Sequence, residues 1–123
     1  MILVDTSVWI DHLYARDPDM LGLLSARQVM THPLIVGEVA MGNLTDRASI
    51  LRSFAMLRLS ARADDDEVLI VVDRHRLYGA GLGYIDAHLL TATMLTPNCS
   101  LWTRDKRLKA QAEKLGLAAK GLN

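Results

Sequence analysis

Short apolar runs alternate along this chain with stretches in which apolar residues recur at helical spacing. The first run, Ile2-Leu3-Val4, has no polar alternation, which is typical of a strand buried on both faces of a parallel sheet. Further strands are predicted at residues 28–30 and 100–103. Because strands that alternate with helices usually form parallel sheets, the pattern predicts an α/β fold with a mostly parallel central sheet flanked by helices.

The helical stretches are separated by proline, glycine and capping residues. The first begins at Thr6 or Ser7, which can cap it, and is broken at Asp17-Pro18. The others are predicted at residues 20–24, 33–41, 45–57, 68–72, 84–95 and 106–115. The run at 68–72 also fits a buried strand. Acidic residues before it and basic residues after it favour a helix, because they match the two ends of the helix dipole.

Composition places the chain among ordinary globular proteins. It has 123 residues, half of them hydrophobic, which predicts one domain, residues 1–123, with a substantial core. The 14 basic and 14 acidic residues balance, so no general attraction to nucleic acid or membrane is implied, although a local basic patch remains possible. A single cysteine, no signal-peptide pattern and no apolar run of about 20 residues predict a cytoplasmic protein with no membrane association.

Four acidic residues each interrupt an otherwise apolar stretch; they are Asp5, Glu38, Asp86 and Asp105. Asp5 and Asp105 each follow a predicted strand, so a parallel sheet brings them to one edge, where open α/β sheets bind ligands. Burying four carboxylates together is costly without a cation, because like charges repel. Oxygen ligands with no His or Cys cluster indicate Mg²⁺ or Mn²⁺, ions that suit hydrolysis of a phosphodiester.

Each of these acids also has an ordinary structural interpretation. Asp5 and Asp105 can be helix caps, and Asp86 can balance the dipole of the helix that it begins. Glu38 lies beside Gly37 and can be half exposed. The basic residues around Asp105 are similarly ambiguous, since they fit either phosphate binding or a solvated helix face. These basic residues are Arg104, Lys106 and Arg107.

Four segments together resemble the PIN-domain ribonucleases, and specifically the VapC-type toxins of toxin–antitoxin pairs. Each segment alone is a weak signal, but the four occur in the family's order and run nearly from one end of the chain to the other. The segments are Val4-Asp5-Thr6-Ser7-Val8-Trp9, the stretch from His32-Pro33 through Gly37-Glu38-Val39 to Leu44, Gly83-Tyr84-Ile85-Asp86-Ala87-His88-Leu89-Leu90, and Leu101-Trp102-Thr103-Arg104-Asp105-Lys106-Arg107-Leu108.

The resemblance implies a PIN-like domain that cuts RNA with Mg²⁺ or Mn²⁺. The family's acidic set corresponds to Asp5, Glu38, Asp86 and Asp105, as catalytic residues and metal ligands, and none is replaced. Ser7 stands where a small hydroxyl residue supports the first aspartate, and Thr103 where a hydroxyl precedes the last. The resemblance also implies a homodimer and inhibition by a small antitoxin. Surplus apolar residues at 13–24 and 50–59 are candidates for a partner groove.

Two other classes of protein remain open at the level of the sequence. A phospho-accepting receiver domain has a similar size, an α/β fold and acids at strand ends, but its phosphorylated aspartate follows a strand, whereas Asp86 lies in a predicted helix. A catalytically silent module would keep the fold and use its pocket only to bind RNA or the antitoxin. The intact acidic set argues against this second alternative.

Overall fold

A four-stranded parallel sheet lies at the centre of the computed structural model, which describes all residues from 1 to 123. The strands are β1 (Ile2–Val4), β2 (Val29–Thr31), β3 (Arg58–Leu59) and β4 (Ser100–Trp102), in the order β3-β2-β1-β4. Every neighbouring pair is parallel. Leu3 and Val4 point to opposite faces of the sheet, and both are completely buried. Both faces of β1 are therefore covered, and the predicted α/β fold is confirmed.

Seven helices surround this sheet. They are α1 (Thr6–Tyr14), α2 (Pro18–Ser25), α3 (Pro33–Ala40), α4 (Arg47–Ala55), α5 (Asp65–Arg74), α6 (Tyr84–Leu95) and α7 (Lys106–Lys114). The ambiguous run at 68–72 is helical, as preferred, because Asp64 and Glu67 form a reciprocal capping box at 2.8 and 3.0 Å. No helix is long and apolar enough to cross a membrane.

Helix α6 is the most buried of the helices and carries several threonines within the core. Thr91, Thr93 and Thr96 are all buried, and each hydroxyl donates a hydrogen bond to the backbone carbonyl four residues earlier, at 2.7–2.8 Å. These bonds satisfy hydroxyl groups that would otherwise destabilise the core. The helix can therefore pass through the apolar interior and present its first turn at the edge of the sheet.

Some sequence predictions were wrong at the boundaries of elements. Strand β3 was missed because its two residues are exposed and form no apolar run. The second strand begins at Val29, one residue later than predicted, since Gln28 is exposed. The last strand ends at Trp102 instead of Thr103. Tyr14, an aromatic residue at the last position of α1 and thus a candidate for the core, is instead 93% exposed.

His32 links the end of β2 to the beginning of α3. It is only 1% exposed, and its Nδ1 accepts a hydrogen bond from the backbone N–H of Leu34 at 3.0 Å, which caps the helix. Burial, and then the neighbouring His88 and Arg62, lower the pKa of His32 to about 4. The imidazole is therefore neutral at physiological pH, and its proton is on Nε2 because Nδ1 is an acceptor.

We expect His32 to make the protein less stable in acid. Its folded-state pKa of about 4 lies below the ordinary value of 6.5, so stability present above pH 6.5 is lost as the pH falls towards 4. The loss is up to about 3 kcal/mol in the free energy of unfolding. His32→Asn keeps an acceptor at the cap and should show a smaller loss in urea titrations between these pH values. Identical pH dependence in both proteins would contradict this prediction.

Candidate active site

The carboxyl ends of β1 and β4 place Asp5 at the edge of the sheet. Val4 pairs with Trp102 in register, and the N–H of Asp5 donates to the carbonyl of Trp102 at 2.9 Å. Asp5 occupies the N-cap position of α1, but its side chain does not cap the helix. Its Oδ2 instead accepts hydrogen bonds from Ser7 Oγ and Thr103 Oγ1, both at 2.7 Å. The carboxylate is only 6% exposed and is fixed by these two hydroxyls.

The two hydroxyl groups also join the start of α1 to the segment that follows β4. Ser7 Oγ and Thr103 Oγ1 lie 3.3 Å apart. Ser7 Oγ accepts from the N–H of Arg104 at 3.0 Å, and Thr103 Oγ1 accepts from the N–H of Asp105 at 3.1 Å. The prediction that Ser7 caps α1 was therefore wrong, because Asp5 takes that position and the Ser7 hydroxyl binds the Asp5 carboxylate.

The other three acids reach the same edge from different helices. Asp105 caps α7 by accepting from the N–H groups of Arg107 and Leu108, both at 3.0 Å. Asp86, in the first turn of α6, accepts from the N–H of Gly83 at 3.0 Å. Glu38, on α3, accepts from Thr6 Oγ1 at 2.8 Å. The structural roles considered for Asp105 and Asp86 are thus real, and they fix the direction of both side chains.

The electrostatics of Asp86 show that the four acids converge. Burial raises the pKa of Asp86, and the charges of Asp5, Asp105 and Glu38 raise it further, against the opposing effect of the Gly83 hydrogen bond. Only Asp5 is buried; Asp86 is half-buried, and Glu38 and Asp105 are exposed. The four acids are therefore not buried together, and solvent screens part of their mutual repulsion.

Each of the four carboxylates uses one oxygen for protein hydrogen bonds and leaves the other without a protein donor. The occupied oxygens are Asp5 Oδ2, Glu38 Oε1, Asp86 Oδ2 and Asp105 Oδ1. No three His, Cys, Asp or Glu side chains are arranged as a finished metal site. A set of four oriented carboxylates with one free oxygen each nevertheless fits a hard divalent cation, which prefers oxygen ligands and keeps several waters.

Arg104 is held by protein groups on the outer side of this edge. Its guanidinium forms ion pairs with Asp11 at 2.8 Å and with Asp17 at 2.5 Å, and its Nε donates to the carbonyl of Asn123 at 2.7 Å. These hydrogen bonds raise the pKa of Arg104 and lower that of Asp17. The guanidinium therefore has a structural role in this conformation, which neither of the two interpretations of this residue included.

Two apolar grooves border α1, in the region where a partner groove was predicted. One, of about 330 Å³, extends from Glu38 along Ile10, Leu13 and Tyr14. The other, of about 270 Å³, is formed by α1, α2 and α4. The first groove begins at a carboxylate of the acidic set, so a chain lying in it would reach the site.

A polar pocket at the end of β2 was not predicted from the sequence. This pocket of about 440 Å³ is lined by His32, Arg62, Asp65 and His88, among others. In the sequence, His32 stands out only as part of the His32-Pro33 motif. The sequence feature that could have drawn attention to His32 is its position directly after a strand and before a helix.

Comparison with known proteins defines the class to which this fold and site belong. The sequence pattern of the PIN domain matches residues 2–114, so the chain is a member of the PIN-domain family. It is also similar to Ribonuclease VapC32 from two strains of Mycobacterium tuberculosis, with 47% identity over 118 residues, covering 96% of this chain and 95% of the relative. The predicted resemblance to VapC-type PIN domains is confirmed.

A solved structure supports the same fold. The crystal structure of PAE2754 from Pyrobaculum aerophilum superposes with a TM-score of 0.61 at 21% sequence identity, and covers 99% of this chain and 87% of that one. At this identity the likeness concerns the fold alone.

We predict that removing one neighbouring charge lowers the pKa of Asp86. Asp105→Asn keeps the cap of α7, because asparagine caps as well as aspartate, but removes one of the like charges that raise this pKa. Carboxyl ¹³C NMR titration of Asp86 would measure the change. Asp66→Asn, which alters an exposed acid on α5, is the control. An Asp86 pKa that is equal in the wild type and Asp105→Asn would show that the two groups do not interact.

Proposed function

We propose that this protein is an endoribonuclease that hydrolyses RNA phosphodiester bonds with Mg²⁺ or Mn²⁺, as the toxin of a toxin–antitoxin pair. The observation that carries the proposal is the convergence of four carboxylates at the end of β1, each with one oxygen free of protein donors. The similarity to a VapC ribonuclease over nearly the whole chain supports RNA as the substrate.

The four acids would hold the cation, with Asp5 as the central ligand. A bound Mg²⁺ or Mn²⁺ polarises a phosphoryl oxygen and lowers the pKa of a bound water. Ser7 and Thr103 keep Asp5 from rotating, so that its free oxygen stays directed into the cluster. Asp86, whose pKa is raised by burial and by the neighbouring charges, would have to lose any proton it carries before it could act as a ligand of the cation.

Lys106 and Arg107 are proposed to hold the RNA backbone. Both are exposed and lie in the first turn of α7, directly after Asp105. Neither forms an ion pair with the protein, so both cations are available to phosphate. Arg104 would contribute indirectly, by fixing the segment that carries Thr103 and Asp105.

The groove that begins at Glu38 is proposed to receive the antitoxin. Its walls are apolar and include the exposed side chains of Ile10 and Tyr14, which suit an amphipathic segment of a partner. A segment in this groove would block access to the acids. Homodimer formation and a cytoplasmic location stay predictions, testable by light scattering and by cell fractionation.

Neither of the other classes of protein accounts for the site as well. A receiver domain would carry its phosphorylated aspartate after a strand, whereas Asp86 lies within α6. A binding-only module would not need four carboxylates that converge. RNA binding without cleavage in the presence of Mg²⁺ would identify the protein as a binding-only module.

We expect RNA cleavage to require both a divalent cation and Asp5. EDTA should abolish cleavage, and Mg²⁺ or Mn²⁺ should restore it. Asp5→Asn should reduce the rate at least a hundredfold, because it removes one charged ligand from the cation. Cleavage of a labelled RNA in a gel assay measures both effects.

Asp66→Asn, an exposed acid outside the cluster, is the matched control and should cleave at the wild-type rate. Activity that persists both in EDTA and in Asp5→Asn would exclude a metal-dependent mechanism at these residues.

Thr103→Val should weaken cation binding while leaving the four acids in place. It removes the hydroxyl that donates to Asp5 and accepts from the N–H of Asp105. Loss of a group that orients a metal ligand typically costs about 10- to 100-fold in metal affinity or activity. Isothermal titration with Mn²⁺ and cleavage at saturating Mg²⁺ would separate the two effects.

Thr93→Val is the control, because that buried hydroxyl bonds only within α6. Equal Mn²⁺ affinity in both variants would show that Thr103 does not position Asp5.

A further inference from the structure

The loop between α5 and α6 lies directly against the side chain of Arg107, one of the two cations that follow Asp105. A Cβ atom added to Gly81, in this loop, would lie 2.7 Å from Arg107 Cδ, 2.8 Å from one of its terminal nitrogens and 3.0 Å from its Nε. Real Cβ atoms essentially never show contacts under 3.0 Å. The Arg107 side chain can therefore occupy this position only because residue 81 has no side chain.

This contact joins the two segments that fix Asp105 and Asp86. Arg107 lies two residues after Asp105, and its N–H donates to Asp105 Oδ1 at 3.0 Å. Gly81 lies two residues before Gly83, whose N–H donates to Asp86 Oδ2 at 3.0 Å. The Arg107 side chain therefore extends from the first turn of α7 to the loop that leads into α6, and so connects the backbone supports of two members of the acidic set.

The backbones on both sides of the contact are anchored, whereas the Arg107 guanidinium is not paired. Leu77 and Leu82, which flank Gly81, are buried and partly buried, and Leu108, next to Arg107, is completely buried. Arg107 itself is exposed and forms no ion pair with the protein. Its side chain is therefore restrained by packing against glycine and not by charge, which leaves the guanidinium available to an anion.

We propose that Gly81 is a positioning residue for RNA binding, because it holds the Arg107 guanidinium ready to receive a backbone phosphate next to Asp105. An arginine side chain loses conformational entropy when it binds a phosphate, and a side chain that is already restrained loses less. The planar guanidinium can also donate two parallel hydrogen bonds to phosphate oxygens. The inference rests on the proposed function, because Arg107 meets a phosphate only if RNA lies over the acids.

Glycine at position 81 also serves the turn itself, and a control in the same loop separates the two roles. Gly81 has a φ of +79°, which side chains rarely adopt, so Gly81→Ala strains the backbone whatever it does to Arg107. Gly79 has a φ of +71°, and a Cβ atom added there would meet nothing within 4 Å. Gly79→Ala therefore reproduces the strain without the contact, and the difference between the two variants measures the contact.

The first test is binding of a labelled single-stranded RNA of random sequence, measured by fluorescence anisotropy in Mg²⁺ with Asp5→Asn as the background to prevent cleavage. We expect Gly81→Ala to bind about two- to tenfold more weakly than Gly79→Ala, because Arg107 must then be ordered on binding. The salt dependence should be the same in both, since the charge is still present. Equal affinities of the two alanine variants would overturn the proposal.

Removing the arginine shows whether the effect of Gly81→Ala acts through it. Arg107→Ala should weaken binding and lower the slope of log affinity against log salt by about 0.7, the value for one phosphate contact on a single strand. Once Arg107 is absent, adding Gly81→Ala should weaken binding no more than adding Gly79→Ala does. A full Gly81→Ala effect in the absence of Arg107 would assign glycine 81 to the turn alone and overturn the proposal.

The restraint on Arg107 can also be measured without RNA and without any variant. The ¹⁵N relaxation of the Arg107 Nε reports the motion of the guanidinium on the ps–ns timescale. We expect this Nε to be more ordered than that of Arg52, an exposed arginine on α4 that forms no ion pair. An Arg107 Nε as mobile as that of Arg52 would overturn the proposal even if Gly81→Ala does not fold.

Cleavage assays distinguish failure of this inference from failure of the proposed function. Gly81→Ala should raise the KM for RNA relative to Gly79→Ala and leave kcat unchanged. If the wild type cleaves RNA and the two variants have equal KM values, the positioning role fails and the nuclease proposal stands. If the wild type binds RNA without cleaving it, while Gly81→Ala binds more weakly than Gly79→Ala, the nuclease proposal fails and the positioning role stands.

Discussion

The carboxylate of Asp5, buried at the end of β1 and held by two hydroxyl donors, is the interaction around which the site is arranged. A carboxylate in this position loses most of its hydration, and Ser7 and Thr103 replace part of it with hydrogen bonds from the protein. Thr103 is 98 residues away along the chain. The bond therefore exists only when β1 and β4 pair in register, so formation of the sheet and assembly of the site are one event.

The opposing constraint is repulsion among four acids. The structure limits this repulsion by leaving Glu38 and Asp105 in solvent and by giving each carboxylate at least one hydrogen-bond donor. The pKa of Asp86, which is half-buried, is raised first by that burial and then by the charges of the other three acids. Binding of the proposed cation would offset this repulsion, and retention of such unfavourable charges is usual at functional sites.

The parts of the fold that depend on local signals were predictable from the sequence. Three such signals specify nearby structure: the unbroken apolar run of β1, the capping residues of α5 and the glycine at position 83 before α6. The acidic set could be found because its members interrupt apolar stretches. Strand β3 and the exposed position of Tyr14 could not, since exposed residues leave no apolar pattern. The ion pairs of Arg104 and the proximity of the His32 and His88 rings involve residues far apart in the chain, and no local pattern reports such contacts.

The extended residues 102–104, at the end of β4, form hydrogen bonds on two opposite sides of the chain. Thr103 turns inward to Asp5, whereas Trp102 and Arg104, on either side of it, both donate to the carbonyl of Asn123. This alternation follows from the two-residue repeat of extended backbone. A one-residue insertion or deletion here would exchange the two directions and point Thr103 away from Asp5. The segment's length is therefore fixed, while the exposed residues of α7 beyond its first turn are free to vary.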